Sequence, residues 1–173
     1  NLIYDKFFSF IKNYQFTEEF MTDKAPLNLR WIGLIKIFFP SAKIIHCFRE
    51  PKDNCLSLYK NLFEGNLNFC YNENDLATYY NLYSDLMKFW QKLYPQGFLD
   101  VRYESLINDQ NLEIKKIINY CNLDWEENCL NFDKNKNPIK TVSLSQARRP
   151  IYNSSVKSYQ NFEPYLKELF SLV

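Results

Sequence analysis

Residues 42–59, AKIIHCFREPKDNCLSLY, constrain the fold more than any other part of this chain. Residues 43–48 are short, apolar and β-rich, which predicts a buried strand. The strand stops at Arg49-Glu50-Pro51, and proline suits the first position of a helix because no backbone N–H is needed there. The stretch therefore predicts a strand, a sharp turn and a helix that runs past Tyr59.

Two polar side chains of this stretch indicate an anion site. Arg49 follows the predicted strand directly, and open α/β sheets bind ligands at the carboxyl ends of their strands. Ser57 lies eight residues later, on the predicted helix. A guanidinium offers a fixed fork of donors and a hydroxyl a short neutral one, so the pair suits a phosphate. The alternative is structural: Arg49 pairs with Glu50 or Asp53, and Ser57 faces solvent.

The remaining chain alternates strands and helices. Residues 16–26 predict a short strand and a loop that carries Lys24, which taken alone reads as a solvated lysine beside Asp23. Residues 27–39 predict a largely buried helix, and residues 98–102 a second buried strand with Tyr103 and Glu104 at its carboxyl end. Apolar residues at helical spacing predict helices at the start of the chain and around residues 76–90, 114–121 and 166–170. This order predicts an α/β fold in which helices flank a parallel sheet.

The segments between these elements differ in character. Residues 64–74 are polar and predict a loop, while residues 123–132 predict a small helical turn anchored by Trp125. The aromatic stripe of residues 76–90 fits core packing better than a stacking platform for bases. Residues 134–162 contain no acidic side chain but six cations interleaved with hydroxyls. This composition predicts a flap that covers an anion, or else a solvated basic loop.

Composition limits the class of protein. Hydrophobic residues make up 46% of the chain and aromatic residues 18%, which is typical of a globular domain. A formal net charge of +1 gives no long-range field for a nucleic-acid polymer or an anionic membrane. Five cysteines without a C-x-x-C spacing predict reduced, mostly buried thiols, and no zinc-ligand pattern occurs. His46, the one histidine, is interpreted as a strand or core residue.

Taken together, four segments resemble the sulfotransferases that use 3′-phosphoadenosine 5′-phosphosulfate (PAPS), and most closely the bacterial branch linked to tetratricopeptide repeats and related to protein-tyrosine sulfotransferases. The segments are DKAPLN at residues 23–28, GLIKIFFPSAKIIHCFREPKDNCLSLY at 33–59, VRYESL at 101–106 and TVSLSQARRPIYNSS at 141–155. They stand in the order and spacing of that family. The resemblance implies a P-loop-NTPase-like fold and one partial sulfotransferase domain over residues 1–173.

The resemblance also implies roles for single residues. Arg49 and Ser57 would hold the 3′-phosphate of PAPS, Tyr103 would lie near the nucleotide, and Ser143 would approach the bridging oxygen or the phosphates of PAPS. Lys24 would be the catalytic cation beside the transferred sulfuryl group. Arg148 and Arg149 would belong to a flap over the 3′-phosphate. The implied reaction moves a sulfuryl group from PAPS to a hydroxyl or amine of a small molecule, glycan or peptide and leaves adenosine 3′,5′-bisphosphate, without a metal.

This sequence departs from the family pattern at two places. The glycine-containing loop that binds the 5′-phosphosulfate has no counterpart, so we expect that loop and the catalytic base upstream of Asn1, and we expect residues 1–173 alone to be inactive. Ser158 stands where relatives usually carry Arg or Lys, and Lys157 precedes it.

Other readings of the chain make different predictions. The alternative is a non-catalytic nucleotide-binding or interaction domain of the same fold. A kinase is disfavoured because Arg49 and Tyr103, rather than an acidic Mg²⁺ ligand, follow the predicted strands.

Because no apolar run approaches the roughly 18 residues of a membrane span, and the composition is rich in residues with AT-rich codons, we expect a bacterial cytoplasmic protein.

Overall fold

The computed structural model of the chain describes residues 2, 5, 6, 9, 19–63, 65, 67–134 and 151–173. Two strands and six α-helices have described bounds, and short 3₁₀ helices lie between them. The strands are β1 (Ile44–Phe48) and β2 (Phe98–Arg102). The α-helices are α1 (Ile32–Phe38), α2 (Pro51–Lys60), α3 (Glu73–Leu93), α4 (Tyr103–Asn108), α5 (Gln110–Tyr120) and α6 (Lys167–Leu172). The 3₁₀ helices are Pro26–Trp31, Asn68–Tyr71, Glu127–Lys134 and Ser158–Phe162.

A parallel pair of strands lies at the centre of the described fold. The register aligns Ile44 with Phe98 and Phe48 with Arg102, so β1 and β2 end at the same edge. The connection between them contains α2 and α3. Parallel strands need such a helical crossover. The prediction of a mixed α/β fold with parallel strands flanked by helices is therefore confirmed, with a sheet of two strands in the described residues.

The prediction that β1 is buried is wrong. Side chains alternate along the strand, and Ile45 retains 37% of its accessible surface while Cys47 is exposed. The opposite face packs toward α3, where the ring of His46 contacts Tyr83. An apolar run shows that a strand can be buried, but whether both faces are covered depends on neighbours distant in sequence.

The core lies between α2, α3 and α6. Its buried members are Cys55, Leu56, Leu76, Ala77, Leu166, Leu169 and Phe170. The predicted apolar helix at residues 166–170 is thus confirmed as a packing element, although α6 begins at Lys167. These contacts fix the first turns of α2, which carry the candidate site.

The helix predicted from the aromatic stripe is confirmed as α3. Asn72 caps it by accepting hydrogen bonds from the N–H groups of Asn74 and Asp75, so the helix starts inside the segment predicted as a loop. Another part of that predicted loop forms the 3₁₀ helix Asn68–Tyr71. Local capping and turn chemistry thus shortened a connection that looked uniformly polar.

The predicted buried helix of residues 27–39 differs from the observed structure. It is divided into the 3₁₀ helix Pro26–Trp31 and α1, and only Ile32 is buried. One side of α1 packs on α3, where Trp90 lies against Gly33, while Leu34 and Ile37 are exposed. The apolar composition of residues 27–39 therefore led to an overestimate of how many of these side chains are buried.

The five cysteines are free thiols, as predicted, but they are not mostly buried. Cys55 and Cys70 are fully buried, whereas Cys47 is exposed. Burial raises the pKa of the Cys55 thiol to about 12, although the nearby Arg49 guanidinium acts in the opposite direction.

In the part of the chain that the structure describes, no helix combines the length and the apolar character that a membrane crossing requires.

Two predicted elements near the N-terminus lie partly outside the described residues. The regularly spaced apolar residues on which the first predicted helix was based lie outside the described residues. Four described residues of the same region are helical: Leu2, Asp5, Lys6 and Ser9. The predicted strand at residue 16 also lies mostly outside, and described residues 20–25 have no regular structure. The turn predicted near Trp125 is the 3₁₀ helix Glu127–Lys134, and the Trp125 indole donates to the Glu127 carboxylate at 3.0 Å.

Candidate functional site

Arg49 occupies the turn between β1 and α2. Pro51 takes the first position of α2, as predicted, so the chain reverses over only two residues. The guanidinium is half-buried, and its Nη2 donates to the backbone carbonyl of Asp53 at 2.7 Å. Among the described residues no carboxylate forms an ion pair with Arg49. The Glu50 carboxylate lies on the side of Arg102 instead, with Oε2 4.0 Å from Arg102 Nη2. The structural alternative, an Arg49 ion pair with Glu50 or Asp53, is therefore not what the described structure shows.

Ser57 lies on the second turn of α2. It is four residues beyond Asp53 and so shares a face with it. The residue is half-buried, and its backbone carbonyl accepts from the Asn61 amide at 2.6 Å. Within the described part of the chain its hydroxyl has no hydrogen-bond partner, so this donor remains available on the second turn of α2.

Glu104 joins the ends of the two strands. One carboxylate oxygen accepts from the Glu50 N–H at 2.9 Å, and the other accepts from Arg102 Nε at 3.0 Å. Burial alone would raise the pKa of Glu104, but these hydrogen bonds outweigh it and hold the pKa below its usual value. Glu104 thus fixes the backbone next to Arg49, a role that the sequence did not reveal.

Tyr103 lies at the carboxyl end of β2, as predicted, but its hydroxyl has partners within the chain. It donates to the backbone carbonyl of Tyr152 at 2.9 Å and accepts from the Ser155 hydroxyl at 3.4 Å. These contacts bring residues 151–155 over the end of the sheet. The predicted position of Tyr103 near the nucleotide stays a prediction.

A buried carboxylate, Asp53, receives the next part of the same segment. Asp53 is 1% exposed. Its oxygens accept from the Lys157 N–H at 2.6 Å, the Ser158 hydroxyl at 3.0 Å and the Tyr159 N–H at 2.9 Å. Sequence reasoning considered Asp53 only as a partner for Arg49. No local signal in the sequence links Asp53 to these partners, which lie 104 to 106 residues away.

Lys24 is exposed in the loop before the 3₁₀ helix Pro26–Trp31. The neighbouring Asp23 carboxylate accepts from the Asn28 amide at 2.9 Å. No carboxylate of the described residues forms an ion pair with Lys24, which agrees with the interpretation of Lys24, taken alone, as a solvated lysine. Its catalytic role stays a prediction. Ser143, Arg148 and Arg149 lie outside the described residues, and their roles stay predictions.

A separate polar network lies along the sheet face that packs on α3. His46 contacts the Asp100 carboxylate at 2.7 Å through Nδ1 and the Tyr83 hydroxyl at 2.6 Å through Nε2. Gln91 donates to both oxygens of Asp100. The histidine side chain is 14% exposed. These contacts confirm the interpretation of His46 as a strand residue that ties β1, β2 and α3 together.

Arg49 follows β1 without a carboxylate partner among the described residues, and Ser57 carries an unengaged hydroxyl on α2; each group is suited to binding an anion. Comparison with known proteins gives the class. The profile described as "Sulfotransferase family" matches residues 1–127. This chain belongs to the sulfotransferase family.

A curated relative extends the match through most of the chain. An uncharacterized protein of Aquifex aeolicus (strain VF5) is 32% identical to this sulfotransferase-family chain over 156 residues. The alignment covers 88% of this chain and 20% of the relative. The chain therefore spans a small part of the length of the relative that it matches.

Proposed function

We propose that this chain is part of a PAPS-dependent sulfotransferase and supplies the binding site for the 3′-phosphate of the nucleotide. Arg49, which ends β1 without a carboxylate partner among the described residues, carries the proposal. Its Nη2 is held by the Asp53 carbonyl, which orients the planar group and leaves further N–H donors for a ligand. A fixed guanidinium fork suits a phosphate better than a flexible ammonium does.

Ser57 and the start of α2 complete the proposed phosphate site. The Ser57 hydroxyl, free of partners within the described residues, supplies a neutral donor on the same helix. A helix of ten residues starts at Pro51, two residues after Arg49, and its unpaired N–H groups and dipole favour a negative charge. Ser143, Arg148 and Arg149 are proposed to add contacts to the phosphates from the basic part of the chain.

The proposed chemistry is in-line transfer. The bond between sulfur and the bridging oxygen of PAPS breaks, a bond forms between sulfur and the acceptor oxygen or nitrogen, and adenosine 3′,5′-bisphosphate leaves. Lys24 is proposed to place its positive charge beside the transferred group, where it offsets the charge that develops on the departing oxygen. The acceptor proton goes to a base that we do not assign within these 173 residues. The phosphosulfate loop and that base are proposed to come from another part of the protein, and the complete domain to have the P-loop-like fold.

Selective stabilisation by a 3′-phosphate tests this proposal. The intact protein is melted with adenosine 3′,5′-bisphosphate or with 5′-AMP, because a ligand that binds only the folded state raises the melting temperature. We expect a clear rise with the bisphosphate, a much smaller one with 5′-AMP, and loss of the difference in Arg49→Ala. The control is Lys88→Ala, which removes the same charge from a side chain that is 71% exposed. Equal stabilisation by both nucleotides would contradict the proposal and favour an interaction domain of the same fold.

A further inference from the structure

We infer that Asp53 is a positioning residue of the phosphate site, which holds residues 151–162 against the first turn of α2 so that Arg49 is fixed for the 3′-phosphate. The inference rests on the proposed function, and it concerns a residue that acts through others rather than by touching the nucleotide. Asp53 is 1% exposed, and its negative charge would repel a phosphate at close range. Its effect on ligand binding must therefore pass through the groups that it holds.

The Asp53 carboxylate caps a helix that begins more than a hundred residues later. The 3₁₀ helix Ser158–Phe162 has no side-chain cap of its own, and Lys157 before it has a φ of 57°. The N–H groups of Lys157 and Tyr159, which such a helix start leaves unpaired, donate to Asp53 instead. The Ser158 hydroxyl supplies the third bond to the same carboxylate. Both oxygens are thus committed to one short turn.

The same residue also contacts Arg49. The backbone carbonyl of Asp53 accepts the Arg49 Nη2–H, while its side chain accepts the bonds from residues 157–159. A shift of that segment is therefore transmitted to the peptide unit that orients the guanidinium. Because buried groups with several fixed partners have few alternative arrangements, we expect the coupling to be tight.

Two further side chains, Tyr103 and Lys52, keep the segment in place from either side. On the β2 side, Tyr103 holds Tyr152 and Ser155. On the α2 side, the Lys52 ammonium lies 5.3 Å from the centroid of the Tyr159 ring and 3.8 Å from the Glu163 carboxylate. The segment therefore spans the ends of both strands, with Asp53 as its most buried attachment.

The test compares nucleotide affinities of variants of the intact protein by calorimetry. Asp53→Asn keeps the shape of the side chain but removes the charge. It also places an N–H₂ donor opposite the N–H and O–H donors of residues 157–159, which need an acceptor. We expect affinity for adenosine 3′,5′-bisphosphate to fall about tenfold, whereas 5′-AMP affinity changes less than about twofold. Hydrogen exchange should accelerate at Lys157 and Tyr159. The control Asp85→Asn alters a side chain that is 76% exposed and should change neither affinity.

Ser158→Ala keeps the test decisive if Asp53→Asn does not fold. It removes one of the three bonds to the carboxylate, and we expect bisphosphate affinity to fall about threefold with folding intact. An unchanged ratio of the two affinities in these variants, alongside faster exchange at Lys157 and Tyr159, would overturn this inference while leaving the proposed function standing. A wild-type protein that does not prefer the bisphosphate would overturn both.

Discussion

Gly33 lies beneath the indole of Trp90, and the contact between them joins α1 to α3. A Cβ atom added at Gly33 would stand 2.7 Å from Trp90 Cη2 and 3.1 Å from Cζ3. The indole cannot easily move away, because its Nε1 donates to the Leu29 carbonyl at 2.9 Å. This contact also anchors the 3₁₀ helix that follows the Lys24 loop. Gly33→Ala therefore tests the packing that positions that loop.

The expected cost of Gly33→Ala follows from two opposing effects. Overpacking against a fixed side chain costs about 1–3 kcal/mol. Replacing glycine by alanine within a helix recovers at most about 1 kcal/mol. The 2.7 Å approach places the overpacking cost in the upper part of its range, at about 2–3 kcal/mol. We therefore expect a net loss of about 1–2 kcal/mol in the free energy of unfolding, which for a chain of this length lowers the melting temperature by about 2–8 °C.

Urea denaturation followed by circular dichroism measures the loss, and a second background identifies its cause. Trp90→Phe removes the outer indole atoms that the new methyl group would meet. In that background Gly33→Ala should be neutral or stabilising, so the double-mutant cycle should give a coupling of at least about 1 kcal/mol. An equal penalty in both backgrounds would refute the steric reasoning.

Two further predictions concern backbone strain and pH. Lys157 is exposed with a φ of 57°, so Lys157→Gly should raise the free energy of unfolding by about 1 kcal/mol, as measured by urea denaturation, whereas Lys157→Ala should give no gain. Because the folded-state pKa of Glu104 lies below its ordinary value of 4.5, its ionised form stabilises the fold above that pH, and this contribution is lost as pH falls through the folded-state pKa. Glu104→Gln should therefore be less stable than wild type by about 1–2 kcal/mol at pH 7, and the difference should shrink as pH falls through the folded-state pKa of Glu104. A difference that persists unchanged in acid would contradict the assignment.

Local sequence signals predicted the central strands well. Residues 43–48 and 98–102 were predicted as strands, and the observed strands are Ile44–Phe48 and Phe98–Arg102. Both are short β-rich runs. Arg49-Glu50-Pro51 ends the first, and the turn Pro95-Gln96-Gly97 precedes the second, so residues close in sequence set these limits. Their parallel pairing followed from the helices between them.

Burial was predicted less well, because it depends on residues far away in the chain. Ile45 and Leu34 belong to apolar runs that look alike whether or not another element covers them, and both are exposed. Arg49 and Ser57 could be proposed as anion-binding candidates from their positions after a strand. Asp53 could not, since its partners are 104 to 106 residues away and no local pattern links them.

Phosphorus NMR of adenosine 3′,5′-bisphosphate on the intact protein tests the central claim most directly, because its two phosphates give separate resonances. At saturating protein, we expect the 3′-phosphate resonance to move from its free position. In Arg49→Ala that resonance should return toward its free position, while in Lys88→Ala it should stay as in wild type. A 3′-phosphate resonance that the protein leaves unchanged, or that moves equally in Arg49→Ala, would contradict the assignment of this site.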